Sequence, residues 1–471
     1  MPNGVLERRA HASERLCIFT SPDEGLYMIL YGEADRRVFC CPKQREYTML
    51  GGSMNREEIK KFYEENMYGV WREGEKVTYE LLGPDTVPEN EEKKPFFFEV
   101  RGGELVRVNI EANGRKASFV FHAFLPGEKR DGGSDPKSGS EASAPGSVTG
   151  SEASLPGSVT GSGASKTGTP VKYPNGSPFI VCMHPIFPVD YALSMGYALL
   201  VTDTREIASD DINRKGAFYD IYPYTDDPAD QTGVLMAWAW GASKVLDAVI
   251  GDGCTSVDHG RQTGGLAGHF GLDPDAAMVT GVSRWGKATA VCGAFDRRFR
   301  MSIPACSGAG GLALYNYFSE GKTYDLSAIG GPKEYTYTKN EPLDCLQSDA
   351  ERGWFNDRFL EYKEPSQIPI DQENLLIMAM DKDRYTFVIA ACMSEDWVNA
   401  PSMWECYKKA DEAYRAAGLA DRLVAHFHRE GHAVLEEDMA LLIEYFNHMH
   451  YGMESKTPLE SLKTTVFAGQ E

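Results

Sequence analysis

Long apolar runs are missing from this chain. No stretch approaches the roughly 18 consecutive apolar residues of a membrane-spanning helix. The opening residues, Met1-Pro2-Asn3-Gly4, lack the basic-then-apolar order of a secretory leader. Basic residues are scarce too: 48 Lys and Arg stand against 69 Asp and Glu, a formal net charge of −21. Nucleic acid and anionic membrane both need a basic surface, so neither is an expected partner. Cysteines are few and scattered, ten in 471 residues, with only Cys40 and Cys41 adjacent. No Cys-x-x-Cys and no Cys/His spacing suits zinc, so no metal and no cofactor is expected. Together these absences give the expectation of a reduced, cytoplasmic protein, with a trimmed secreted form as the alternative.

What is present suits a globular fold: 42% of residues are hydrophobic and 11% aromatic. Short strands are expected at Arg15–Thr20, Gly25–Tyr31 and Arg37–Cys41. A helix should begin at Asn55, with Glu57 and Glu58 in its first turn and Ile59, Phe62 and Met67 on one face. Residues 76–124 are strand-like, alternating in Val106-Arg107-Val108-Asn109-Ile110. Composition then breaks. Residues 128–170 are rich in Gly, Ser, Pro and Thr with almost nothing to bury, and Ser140–Gly150 is repeated almost verbatim as Ser151–Gly161, as in a flexible solvated insertion. Beyond it strands alternate with helices: Phe179–Met183, Ala198–Thr202, the helix Gly233–Val249, then strands at Met301–Pro304, Arg384–Cys392 and Leu423–His428, and a closing helix Glu436–His448. Nearly continuous apolar strands separated by helices imply a mostly parallel sheet covered on both faces, with ligands at the strands' carboxyl ends.

At one such end lies Gly281-Val282-Ser283-Arg284-Trp285-Gly286-Lys287, where an apolar strand passes into a helix lasting to about Phe295. A serine at a sharp strand-to-helix turn is the sequence form of a nucleophile elbow. The competing reading is a serine that caps the helix. The usual second glycine falls two residues after the serine, and here it comes one later, at Gly286.

A serine nucleophile needs a base and an acid to orient that base, in the chain order Ser, acid, His for an α/β-hydrolase arrangement. His432 has the best setting of ten histidines, after the last strand and the turn Arg429-Glu430-Gly431. His426 and His428 read as alternating across that strand. The acid is Glu395 or Asp396, both at the carboxyl end of the preceding strand, and a one-residue slip would exchange them.

The stretch Gly281-Val282-Ser283-Arg284-Trp285-Gly286-Lys287-Ala288 resembles the Gly-Cys-Ser-Arg-x-Gly-Lys elbow of the glucuronoyl esterases, carbohydrate esterase family fifteen. Ser307-Gly308-Ala309-Gly310-Gly311 is similar to that family's Ser-Gly-Ala-Gly-Gly run. Trp238-Ala239-Trp240-Gly241, Glu351-x-x-Trp354-Phe355, Ile370-Asp371, Trp397 near Pro401, and Gly431-His432 match as well, from about Asn55 to Tyr451. The resemblance implies an α/β-hydrolase, a three-layer αβα sandwich on a mostly parallel central sheet. The implied layout is a β-rich extension over 1–55, a catalytic domain over 56–451 interrupted by 128–170, and a tail over 452–471. It implies cleavage of esters of the (4-O-methyl-)glucuronic acid carboxyl group, in xylan-derived or lignin-carbohydrate fragments. Ser283 would be the nucleophile, His432 the base and Arg284 the oxyanion-stabilising residue. Lys287, Glu351 and Trp397 would be sugar contacts, with Gln347 a weaker one.

Two departures qualify the match. Fungal members carry the triad glutamate just before Ser-Gly-Ala-Gly-Gly, where this chain has Cys306. The acid must then come from the later strand, where many bacterial members place an Asp two residues before the tryptophan; counting back from Trp397 selects Glu395, with Asp396 in reserve. Val282 replaces the elbow cysteine that pairs in secreted fungal forms, in keeping with a reduced compartment. The alternatives to glucuronoyl ester cleavage are acetyl-xylan or other carbohydrate deacylation by the same triad, and a non-catalytic carbohydrate-binding relative.

Overall fold

A computed structural model describes residues 6–11, 14–21, 25–31, 36–39, 54–85, 100, 102–127, 171–184, 187–251 and 265–470. The duplicated insertion over 128–170 and the pair Cys40-Cys41 lie outside the described residues. Two compact units are present, Met1–Glu58 and Ile59–Glu471.

The first unit contains a four-stranded antiparallel meander: β1 (Leu6–His11), β2 (Glu14–Ser21), β3 (Gly25–Tyr31) and β4 (Arg36–Phe39), in spatial order β1-β2-β3-β4. At its end the helix Arg56–Asn66 begins with a reciprocal cap. The Glu58 amide donates to Asn55 Oδ1 at 3.0 Å, and the Asn55 amide donates to Glu58 Oε2 at 2.7 Å.

The second unit is built on a nine-stranded sheet. Its strands are β5 (Lys76–Pro84), β6 (Glu104–Ala112), β7 (Arg115–Phe124), β8 (Ser177–Cys182), β9 (Ala198–Thr202), β10 (Leu272–Val282), β11 (Met301–Ala305), and, past the short ribbon β12 (Thr323–Tyr324) with β13 (Tyr335–Thr336), β14 (Tyr385–Met393) and β15 (Leu423–Glu430). The order is β15-β14-β11-β10-β8-β9-β7-β6-β5. From β15 to β9 every neighbouring pair is parallel, and from β9 through β5 every pair is antiparallel. This is the α/β-hydrolase fold.

Burial follows the pattern of the sequence. Parallel strands β9 and β11 are buried along their whole length, because helices cover both faces. In β6 only the alternate residues Val106, Val108 and Ile110 are buried, as expected for a sheet with one covered face. The Asn113-Gly114 turn between β6 and β7 has positive φ at both residues, 52° and 70°, the conformation a two-residue hairpin requires.

The helix Val234–Ile250 is buried almost throughout and carries both tryptophans of the Trp-Ala-Trp motif. Trp238 Nε1 donates to the Ala208 carbonyl at 2.9 Å, and Trp240 Nε1 donates to Glu75 Oε1 at 2.8 Å. Glu75 also pairs with the buried Lys244 ammonium at 2.9 Å. Burial opposes ionisation of Glu75, but the Lys244 charge and bond outweigh it and hold the carboxyl below its ordinary range. The motif that resembled a family signature is therefore a packing device, far along the chain from the elbow.

Within 452–470, expected as a tail, residues 464–467 lie against the outer edge of β15. Thr464 donates its amide to the Ala425 carbonyl at 2.7 Å, and Val466 and Phe467 are buried beside it. An end strand otherwise presents unpaired backbone groups, which this segment caps.

Candidate active site

Strand β10 stops at Val282, and the elbow helix Arg284–Phe295 begins two residues later. Between them Ser283 is held at φ 63°, ψ −126°, a conformation that costs a non-glycine residue about 1–3 kcal/mol. Ser283 occupies the helix cap position, yet its side chain makes no capping bond. The capping reading fails, because an N-cap side chain takes an amide from the first helical turn and this one takes none.

Both glycines of the motif are steric requirements. A Cβ on Gly281 would stand 2.6 Å from the Trp285 carbonyl oxygen, and one on Gly286 would stand 2.3 Å from the Ala305 oxygen. Ala305 ends β11, the parallel neighbour of β10, and its carbonyl accepts the Ser283 amide at 2.9 Å. The late second glycine thus seats the first helical turn on the next strand. Trp285 anchors that turn, donating to Thr204 Oγ1 at 2.8 Å and stacking on His184 at 3.9 Å between ring centres.

In the parallel pair β14/β15, Met393 lies opposite Glu430, so Glu395 and His432 occupy equivalent positions just beyond the paired ends. Glu395 Oε2 is 3.1 Å from His432 Nδ1. That distance is within ion-pair range, but the angles are off line for a hydrogen bond, and neither atom has another hydrogen-bond partner. Ser394, at φ 66°, turns the chain so that Asp396 points elsewhere. Asp396 Oδ1 accepts Tyr335 Oη at 2.7 Å, and Oδ2 accepts the amide and hydroxyl of Thr338 at 2.8 and 2.7 Å. The reserve acid is an anchor for the β13 ribbon.

The cations beside the serine are less free than their sequence suggests. Arg284 Nη1 is 2.5 Å from Asp210 Oδ2, with its guanidinium 5.2 Å from the centre of the Trp354 ring. As the first helical residue, Arg284 has no intrahelical acceptor for its own amide. Lys287 is only 3% exposed, and its ammonium donates to Glu341 Oε2 at 2.7 Å and to the Ala309 carbonyl at 2.6 Å. Two of its three donors are committed inside the protein, so one N–H is left for the sugar contact expected of it.

Gln347 differs from expectation. Its amide nitrogen is spent on the carbonyls of Phe359 and Tyr362, at 3.0 and 2.8 Å. Glu351 remains half-buried near the cations. Burial, then the neighbouring Glu341 charge, push its carboxyl above the ordinary range, against the pull of Lys287 and Arg284. Trp397 is partly exposed, its ring centre 5.7 Å from that of His432 and 5.0 Å from the Lys339 ammonium.

Glu341 was not foreseen. It accepts Lys287 and the Ala309 amide (3.0 Å), and its own amide donates to the Trp397 carbonyl at 3.1 Å, tying the loops after β11 and β14 together. Its sole sequence signal was indirect: a lysine in the first turn of a buried helix requires a carboxylate somewhere.

The model of the family described as "Glucuronyl esterase, fungi" matches residues 158–418. The chain belongs to the glucuronoyl esterase family. A multidomain esterase of Ruminococcus flavefaciens is 46% identical over 304 residues, covering 63% of this chain and 38% of that protein. A 4-O-methyl-glucuronoyl methylesterase of Hypocrea jecorina is 29% identical over 210 residues, 44% of this chain and 38% of the relative. The chain thus spans well under half the length of these two relatives. Among solved structures, a carbohydrate esterase family 15 glucuronoyl esterase from Caldicellulosiruptor kristjansonii superposes with a TM-score of 0.63 at 27% identity, covering 88% of each chain. One from Sporotrichum thermophile, at 18% identity and a TM-score of 0.56, shares the fold.

The family match ends before His432, so the placement of that residue rests on the sheet alone. The family's Ser-Gly-Ala-Gly-Gly run is explained by the same geometry. A Cβ on Gly308 (φ 60°) would stand 2.7 Å from Glu341 Oε2 and 3.3 Å from Lys287 Nζ. Cys306, preceding the run, is buried, and burial, with help from Asp438 and Glu395, pushes its thiol up to about 12. It is uncharged at neutral pH and cannot act as the carboxylate that fungal members carry there. Because Gly286 meets backbone, Gly286→Ala should destabilise the fold by about 3 kcal/mol. A urea titration checks this, and an unchanged midpoint would show that the helix can move off Ala305 freely.

Proposed function

We propose that this chain hydrolyses esters of the glucuronic acid carboxyl group through a serine acyl-enzyme. The observation that carries the reading is the uncapped, strained Ser283 at the carboxyl end of β10, in a sheet whose later strands bring Glu395 within 3.1 Å of His432. In this reading Ser283 Oγ attacks the ester carbonyl carbon while His432 Nε2 takes the hydroxyl proton. Glu395 orients the ring from Nδ1 and balances the imidazolium. The tetrahedral oxyanion lies against the Arg284 amide and guanidinium, an electrostatic contribution of about 10²–10³ in rate. Collapse expels the alcohol, which carries away the proton held by His432. Water, deprotonated by the same ring, then releases the uronic acid and restores the serine.

The substrate class is supported by Arg284 and Trp397. Arg284, whose side chain stays partly exposed beside Asp210, tolerates a uronate better than a carboxylate would, while the partly exposed indole offers a face for a sugar ring. Esters of 4-O-methyl-glucuronic acid in xylan-derived or lignin-carbohydrate fragments are the natural candidates. A cytoplasmic setting belongs to the same proposal, supported by the free cysteines Cys182, Cys292, Cys306, Cys345, Cys392 and Cys406. Mass spectrometry of the alkylated protein taken directly from cells should find the ten cysteines reduced; a native disulfide would count against that setting.

Benzyl glucuronate and 4-nitrophenyl acetate, offered to the wild type and to Ser283→Ala, test the activity. Serine-dependent turnover should favour the glucuronate. Turnover of acetate alone would assign the site to deacylation, and sugar binding without turnover would make the protein a binding relative. For the acid, Glu395→Ala should lower kcat by about 10⁴. Asp396→Ala should instead lower the melting temperature, through its lost bonds to Tyr335 and Thr338. The reverse pattern would exchange the two roles.

A further inference from the structure

Behind the proposed base lies a second histidine that the reaction does not use. His428 and His426, spaced two apart on β15, share one face of the strand and converge on the same carboxylate, instead of alternating across it. Asp438, on the closing helix Glu436–Tyr451, is fully buried, and its Oδ2 lies 2.9 Å from His428 Nδ1. That oxygen also accepts the Leu435 amide at 2.8 Å, and Oδ1 stands 3.4 Å from His426 Nε2. His428 is 4% exposed, and its other nitrogen, Nε2, is 2.9 Å from the Gly431 carbonyl oxygen.

Both partners of the His428 ring are acceptors. A neutral imidazole has one N–H to give, so satisfying a carboxylate and a carbonyl together requires the doubly protonated ring. The second acceptor belongs to the residue before His432. Gly431, at φ 115°, also accepts the Ala433 amide at 2.9 Å, so its carbonyl is the fixed point of the turn that carries the base. Since the His432 contact to Glu395 is not itself an in-line hydrogen bond, the turn must be held from behind.

We propose that His428, as a buried imidazolium clamped between Asp438 and the Gly431 carbonyl, is a positioning residue that fixes the His432 turn for catalysis. This rests on the reading of His432 as the base. The surroundings favour the cation. Asp438 and Glu437 face it from the closing helix, and His426 shares Asp438 with it. Cys306, beyond β11, is an uncharged thiol that feels Asp438 and Glu395. Burial works against the charge, but the Asp438 bond and charge, the Gly431 carbonyl and Glu437 outweigh it and raise the His428 pKa. The sign follows: the clamp is complete below that raised pKa and is lost as pH rises through it. The remaining proton then stays with the charged Asp438, and the bond to Gly431 breaks.

The profile of kcat against pH for benzyl glucuronate should therefore carry an alkaline limb that belongs to His428. Asp438→Asn should move that limb to lower pH by about one unit or more. His428→Gln should abolish it and lower kcat about 10–100-fold, with KM little changed. Nitrogen-15 spectra of histidine-labelled wild type and Ser283→Ala should each show one ring that keeps both protons to a higher pH than an unperturbed imidazole does, a signal that persists in His426→Gln. Finding no such ring overturns the clamp without reference to activity or to any destabilised variant. An alkaline limb unmoved in folded Asp438→Asn overturns it as well, whereas a wild type without turnover refutes the esterase reading instead.

Discussion

The site depends on a single close approach between two parallel strands and the helix that follows one of them. The Ala305 carbonyl at the end of β11 takes the Ser283 amide, and the bare Cα of Gly286 lets the first helical turn settle against it. This contact forces Ser283 into a backbone conformation it would not adopt alone. The strain is affordable because β10 and β11 are buried in the middle of the sheet, where the neighbouring packing over-determines the turn. The uncapped Ser283 side chain is a consequence of that one arrangement.

The remaining chemistry is placed by register. Parallel strands end together, so residues just beyond the paired ends of β14 and β15 meet without any long loop. Glu395 and His432 share that position, and the turn at Ser394 sends the adjacent Asp396 toward Tyr335 and Thr338. Charge is paired around this rim: Lys287 with Glu341 and His428 with Asp438 inside the protein, and Arg284 with Asp210 at its partly exposed edge. The first and the last of these tie a loop to the elbow helix, while the His428 pair ties β15 to the closing helix. Removing one member would strand a charge, so the rim is stiff where the chemistry needs stiffness.

The parallel sheet, the elbow and the closing histidine were legible in the sequence because each has a local cause. Apolar runs define buried strands, and a glycine on either side of a serine defines a tight turn. Lys287 and Gln347 were harder, because their motif positions are correct while their side chains turn inward. No local pattern records which partner a long side chain reaches. Glu341 was invisible for the same reason, lying in an unpatterned loop fifty-four residues from the lysine it neutralises.

By itself the sequence determined the layers, the strand that carries Ser283, and the turns that follow the later strands, since periodicity and turn chemistry act over a few residues. The tertiary structure alone set Glu395 beside His432 and Asp396 beside Tyr335 and Thr338, spent the ammonium of Lys287 on Glu341, and brought Asp438 to two histidines of the last strand. Those outcomes depend on the direction in which a side chain leaves a turn and on what stands across a loop. Both are properties of packing in three dimensions, which a linear pattern of residue types does not encode.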